Sequence, residues 1–254
     1  MSAERMAQAR SLLATWDADG VLIGSPANRR WLSGFTGSNA WLLVTADMAW
    51  LATDFRYYEQ AQNEAPLFTL HKMEGGDRTP AGMLAASNVQ TVVIESSYMT
   101  VNMLDTLREK VSQEIKWLGR KQTLEPLRAV KNPAELALIR RAAALGDQAV
   151  AMMAELARPG ISERALAWEL EKRMREAGAD GVAFEVIVAS GPNSALPHHR
   201  PGDRQLQPGD AVVVDLGALV KGYHSDLTRS FFMGDSPPDE YQAVYNLVAR
   251  AQEN

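Results

Sequence analysis

VVVDLGALVKGYHSDLTRSFF, residues 212–232, reads as a β-hairpin that carries two aspartates, Asp215 and Asp226, among apolar and β-branched neighbours. The turn is expected around Leu219-Val220-Lys221-Gly222. A turn centred between Val220 and Lys221 sets Asp215 directly opposite Asp226. A turn one residue later makes the two diagonal neighbours. Either register leaves both carboxylates on one sheet face, roughly 5 Å apart at Cβ if direct and roughly 7–8 Å if diagonal. Like charges so close on a half-buried face are unfavourable, so one takes up a proton or a cation sits between them. Carboxylate oxygens suit Mn²⁺, Mg²⁺, Zn²⁺ or Co²⁺ in that role. The plainer alternative is a pair of solvated aspartates, one ending a strand and one capping a turn. The strand-like flanks on both sides of each residue weigh against it.

Upstream, SGPNSALPHHRPGDRQLQPGD (190–210) is a long Pro- and Gly-rich loop. Its His198 and His199 adjoin the candidate site as a proton donor or a substrate contact. His224 shares the Asp226 strand face in principle but sits near the turn, which favours a surface role. Nothing recommends His71, and Arg229 either pairs with an aspartate or faces water. FEVIVAS (184–190) reads as a strand, and Ser162 caps a helix that ends at Gly178. Asn132, Pro133 and Glu135 form a helix start with a capping-box pattern. Leu136, Ile139, Ala143, Gly146, Val150 and Met153 then recur at three- and four-residue steps as one apolar stripe. Downstream, Pro238 opens a helix that runs to the last residue with no stop signal, so the chain reads as cut within a domain.

The first half alternates strands with helices, which predicts an α/β domain over 1–121. VLIGS is a buried strand, NAWLLVT and AWLATD form a hairpin, FRYYEQAQNEA is a helix, and FTLHKM and TVVIES are strands. Thr100 caps a further helix. The polar, proline-bearing segment 122–132 is a linker, and 133–254 forms the second domain. GFTGS (34–38) is a tight turn before a strand.

The chain has 254 residues, enough to bury a sizeable core, with 46% hydrophobic and 22% charged residues. A net charge of −5 without a Lys/Arg block argues against nucleic-acid binding. The absence of cysteine excludes disulfides, thiolate nucleophiles and Cys-ligated zinc, and fits a cytoplasmic location. No signal peptide or apolar span long enough for a membrane is visible. No Gly-x-Ser-x-Gly elbow, phosphate-binding glycine loop or His-Glu-x-x-His helix occurs.

The stretch from FEVIVASGPNSALPHHRPGD to DLTRSFFMG resembles the metal-binding heart of the M24 peptidases, in particular Xaa-Pro aminopeptidases and Xaa-Pro dipeptidases (prolidases). NRRWLSGFTGSNAWLLVT and AWLATDFRYYEQA resemble their creatinase-type N-terminal domain, and LEPLRAVKNPAELALIRRAA resembles their linker and first catalytic helix. The resemblance implies an α/β N-terminal domain followed by the first part of an α+β pita-bread catalytic domain. It implies that Asp215 is a metal ligand, that Asp226 is a ligand bridging two metals, and that His198 is a catalytic contact near the scissile bond, with His199 at a variable position. The implied cofactors are two divalent ions (Mn, Co or Zn) that activate water toward the bond before proline. The implied substrates are peptides with proline second, and the implied assembly is a homodimer in the complete enzyme. Three further ligands, one histidine and two glutamates, are expected downstream of Asp226, and none of the four histidines here follows it. The expectation is therefore an aminopeptidase-like chain, inactive alone, that holds metal weakly. A prolidase, a creatinase, a split enzyme and a non-catalytic binding module on the same scaffold are the alternatives.

Overall fold

In the computed structural model, residues 3–76 and 78–253 are described, and the chain divides into two units, Met1–Val130 and Lys131–Asn254. The first unit is built on α1 (Ala3–Trp16), β1 (Gly20–Ile23), α2 (Pro26–Ser33), β2 (Ala40–Thr45), β3 (Ala49–Asp54), α3 (Tyr58–Glu64), β4 (Thr69–Met73), α4 (Ala81–Ala85), β5 (Thr91–Glu95), α5 (Val101–Lys110), β6 (Lys116–Arg120) and α6 (Glu125–Ala129). Its strands form one mixed sheet in the order β4-β3-β2-β1-β5-β6. The pairs β1–β2 and β2–β3 are antiparallel, and the others are parallel.

The central strands are continuous apolar runs because the sheet is covered on both faces. Val21, Ile23, Leu42 and Val44 join one core with Leu13 and Leu32. Leu22, Leu43, Val92 and Ile94 join the other with Met83, Leu84 and Leu107. The period-two alternation of strand side chains thus feeds two cores from one sheet.

Some local expectations change. FRYYEQAQNEA begins as a 3₁₀ turn, Phe55–Tyr57, because Asp54 caps it by accepting from the Arg56 N–H. Helix α2 is hidden in sequence by its polar run, yet Pro26 opens it and Gly34, at φ 82°, closes it. Strand β6 lies in a stretch that reads as polar. The segment 122–132 holds α6, and Leu124 is fully buried.

The second unit comprises α7 (Pro133–Ala151), α8 (Met153–Leu156), α9 (Glu163–Glu176), β7 (Gly181–Val182), β8 (Ile187–Ser190), β9 (Ala211–Leu216), β10 (Ala218–Val220), β11 (Tyr223–His224), β12 (Leu227–Phe232) and α10 (Asp239–Glu253). Two three-stranded sheets form, ordered β11-β10-β7 and β12-β9-β8. The strand read over 184–190 is confined to β8.

The apolar stripe expected on α7 is buried only in part: Gly146 and Met153 are buried, and Ile139 and Val150 are half-buried. Leu136 and Ala143 are exposed, whereas Glu135, Ala142, Leu145, Gly146 and Ala149 are buried. Small residues win the interface because they let the helix approach the hairpin, where the Ser225 hydroxyl donates to the Ala142 carbonyl at 3.0 Å. Glu135 tolerates burial because it completes the capping box with Asn132 and accepts from the Tyr223 hydroxyl at 2.7 Å. No helix among the described residues is long and apolar enough to cross a membrane.

Candidate functional site

The hairpin turns on Lys221 and Gly222, at φ 47° and 81°, the two left-handed positions of a two-residue turn whose twist matches the strands. The turn therefore falls at the later of the two positions open from sequence. Leu219 pairs with His224, and the same register carries through to Leu216 with Leu227 and Asp215 with Thr228. Asp226 is thus the diagonal neighbour of Asp215. Gly217 lies across from Asp226, where a Cβ would collide with the Ser225 carbonyl oxygen, so glycine keeps the two strands in close approach.

Along β9, Val212, Val214 and Leu216 point into the core, which leaves Asp215 on the half-open face. Thr228 Oγ1 donates to Asp215 Oδ1 at 2.8 Å. Asp226 is exposed and has no hydrogen-bond or ion-pair partner among the described residues. Both aspartates line a cavity of about 420 Å³ together with His198, His199, Arg200 and Phe184. His224 is exposed on β11 and is not among the cavity's lining residues, and His71 lies on β4 of the first unit. Arg229 donates to the Thr228 carbonyl at 2.9 Å and forms no ion pair with either aspartate, which bears out the solvent-facing option.

The loop bearing the histidines is held by a residue that sequence reasoning missed. Glu163, the first residue of α9, is fully buried. Its Oε1 accepts from the Ser190 N–H at 2.8 Å, the Ser190 hydroxyl at 2.7 Å and Asn193 Nδ2 at 3.0 Å. Its Oε2 accepts from His199 Nε2 at 2.7 Å and the Gly202 N–H at 3.2 Å. Burial pushes its pKa up, but these donors outweigh it and hold the carboxyl at about 2. An acid in the first turn of a helix is ordinary on electrostatic grounds, so no sequence signal marks it. Arg204 adds a second brace, pairing with both Asp210 oxygens at 2.7 and 2.8 Å. His199 is consumed in bracing the loop, while neighbouring His198 is exposed at the cavity.

Two carboxylates on one face, one of them unpaired, suit a divalent cation by charge and by donor type. Among the described residues no group of three or more His, Cys, Asp or Glu side chains is placed to hold a metal ion. The residues present fit such an ion as a partial ligand set.

Comparison with known proteins identifies both units. The family model "Metallopeptidase family M24" matches residues 137–254, and "Creatinase/Prolidase N-terminal domain" matches residues 5–130. An uncharacterized peptidase of Bacillus subtilis (strain 168), YqhT, is 35% identical over 250 residues, covering 98% of this chain and 70% of the relative. The solved structure of an Xaa-Pro dipeptidase from Bacillus anthracis superposes with TM-score 0.91 at 32% identity, covering 98% of this chain and 70% of that one. An X-Pro aminopeptidase from Thermotoga maritima MSB8 superposes with TM-score 0.86 at 31% identity, with the same coverage.

Proposed function

This chain belongs to metallopeptidase family M24, and from that premise we propose that its scaffold serves hydrolysis of peptides at the bond before a proline in second position, as an Xaa-Pro aminopeptidase. The observation that carries the site assignment is the unpaired Asp226 carboxylate, diagonal to Asp215 and on the same cavity as His198. In this reading Asp215 and Asp226 would hold divalent metal through their carboxylate oxygens. A divalent ion bound there supplies Lewis-acid polarisation of the amide carbonyl and a lowered water pKa. Thr228 fixes the Asp215 rotamer through its hydroxyl. The Glu163 and Arg204 braces set the loop, so that a His198 ring N–H can donate a hydrogen bond toward charge developing at the scissile carbonyl. The dipeptidase reading is favoured by the B. anthracis likeness and differs in substrate length.

These 254 residues carry two of the ligands that the resemblance implies, so the reading includes weak metal binding and little or no turnover by this polypeptide alone. Calorimetric titration with Mn²⁺ tests the site: binding in the high-micromolar to millimolar range is expected, abolished by Asp226→Asn and by Asp215→Asn. Assays on Xaa-Pro dipeptides and tripeptides with Mn²⁺ or Co²⁺ test the activity. Robust turnover would show that the two carboxylates suffice, and Mn²⁺ affinity unchanged in both variants would remove the site assignment.

A further inference from the structure

A cavity of about 310 Å³ lies wholly within the first unit, and Arg29, Arg78, Trp41, Tyr98, Asn102 and Thr106 are among the residues that line it. That volume is at the lower end for small-molecule sites. No Asp or Glu is among its described lining residues, although acidic residues outnumber basic ones in the chain, 31 to 26.

Arg29 is the unusual member. It is only 4% exposed, at a point where charged side chains are normally paired. Its guanidinium donates to three carbonyl oxygens, those of Gly24, Ala40 and Gly37, and its Nε–H has no partner. Burial pushes its pKa down, against the favourable fields of Tyr98 and Glu95. Glu95 is the nearby buried acid, but its oxygens already accept from the Gly24 and Ser25 N–H groups, the Ser25 hydroxyl and Asn28. Arg78 is exposed on the same cavity and has no partner among the described residues. A pin that served structure alone would have every donor met, whereas the Arg29 Nε–H is left over and no ion pair reaches the guanidinium among the described residues. Trp41 and Tyr98 line the same cavity and meet edge to face with centroids 6.0 Å apart, and Met103 and Leu107 line it as well.

We propose that this cavity is a binding site for a small organic anion, a carboxylate or phosphate head set between Arg29 and Arg78 with a flat apolar body against Trp41 and Tyr98. Guanidinium groups suit both heads because their planar donors match either set of oxygens. The site is independent of the metal-centre reading.

Titration calorimetry on the full chain, in EDTA, tests it with phenyl phosphate and benzoate as probes. Inorganic phosphate and neutral benzyl alcohol are the controls. Saturable binding of at least one aromatic anion is expected in the micromolar to millimolar range. Both controls are expected to bind about ten-fold more weakly or worse, and the stronger aromatic probe identifies the preferred head. Arg78→Gln, an exposed change that leaves the thermal melt in place, is expected to weaken binding about ten-fold. Thr106→Trp, which sets a large side chain at a lining position, is expected to abolish it. The proposal is overturned if neither aromatic anion saturates, if benzyl alcohol or inorganic phosphate binds as tightly, or if both variants bind like the parent.

Discussion

Glu163 shows how one buried carboxylate can organise a loop. Five donors converge on it from Ser190, Asn193, His199 and Gly202, and their combined field keeps it ionised despite full burial. Its pKa is depressed from 4.5 to about 2, so its contribution is fully present above pH 4.5 and is lost as pH falls through about 2. Glu163→Gln puts an amide donor against those donors and is expected to cost about 1–3 kcal/mol at neutral pH. Hydrogen exchange at the Ser190 and Gly202 amides reads this directly: protection falls in the variant at neutral pH, and its further loss across that acid window is smaller than in the parent. At Gly217 the constraint is steric. Gly217→Ala is expected to cost about 3 kcal/mol or more, measured by denaturant unfolding of the second unit, because the Ser225 carbonyl occupies the space of the new Cβ. That Asp215 and Asp226 come together was legible in sequence because both flank one hairpin turn, and the two line the same cavity. Glu163 was not, since its burial depends on a loop that returns to it from 27 to 39 residues later.

At the scale of the element, the hairpin turn decides which register the two aspartates take. Lys221 adopts a left-handed conformation that a non-glycine residue visits at a cost, and asparagine accepts it more readily. Lys221→Asn is therefore expected to stabilise the second unit by about 0.5–1 kcal/mol, seen as a raised unfolding midpoint with an unchanged slope. The Asn132 capping box on α7 was readable from three residues, and Asn132→Ala is expected to cost about 1 kcal/mol by the same measurement. The buried face of α7 was readable only in part. The expected stripe included Gly146, which is buried, but also Leu136 and Ala143, which are exposed, and close approach to the hairpin added Ala142 and Ala149. Size at the contact outweighed hydrophobicity along the helix.

At the scale of the whole chain, an exposed apolar face lies on α10, none of whose described residues is buried. Tyr241 leans on Phe232 with ring centroids 5.5 Å apart, while Val244, Tyr245, Leu247 and Val248 are each about half exposed or more, at 57, 49, 60 and 52%. Contiguous apolar surface of this kind promotes association. Concentration-dependent self-association is expected by light scattering, and Leu247→Glu with Val248→Glu is expected to reduce it.

The sequence alone determined what is local in this molecule. Strands alternating with helices predicted the α/β unit, and capping residues marked helix starts. These follow from properties that each segment carries by itself. Tertiary structure decided what depends on a partner elsewhere in the chain. It chose the buried face of α7 by close packing against the hairpin. It enclosed Glu163 within a returning loop, and it left Arg29 buried with its Nε–H unpartnered. None of these is encoded in a window of neighbouring residues, because each is set by which surfaces meet when the chain folds.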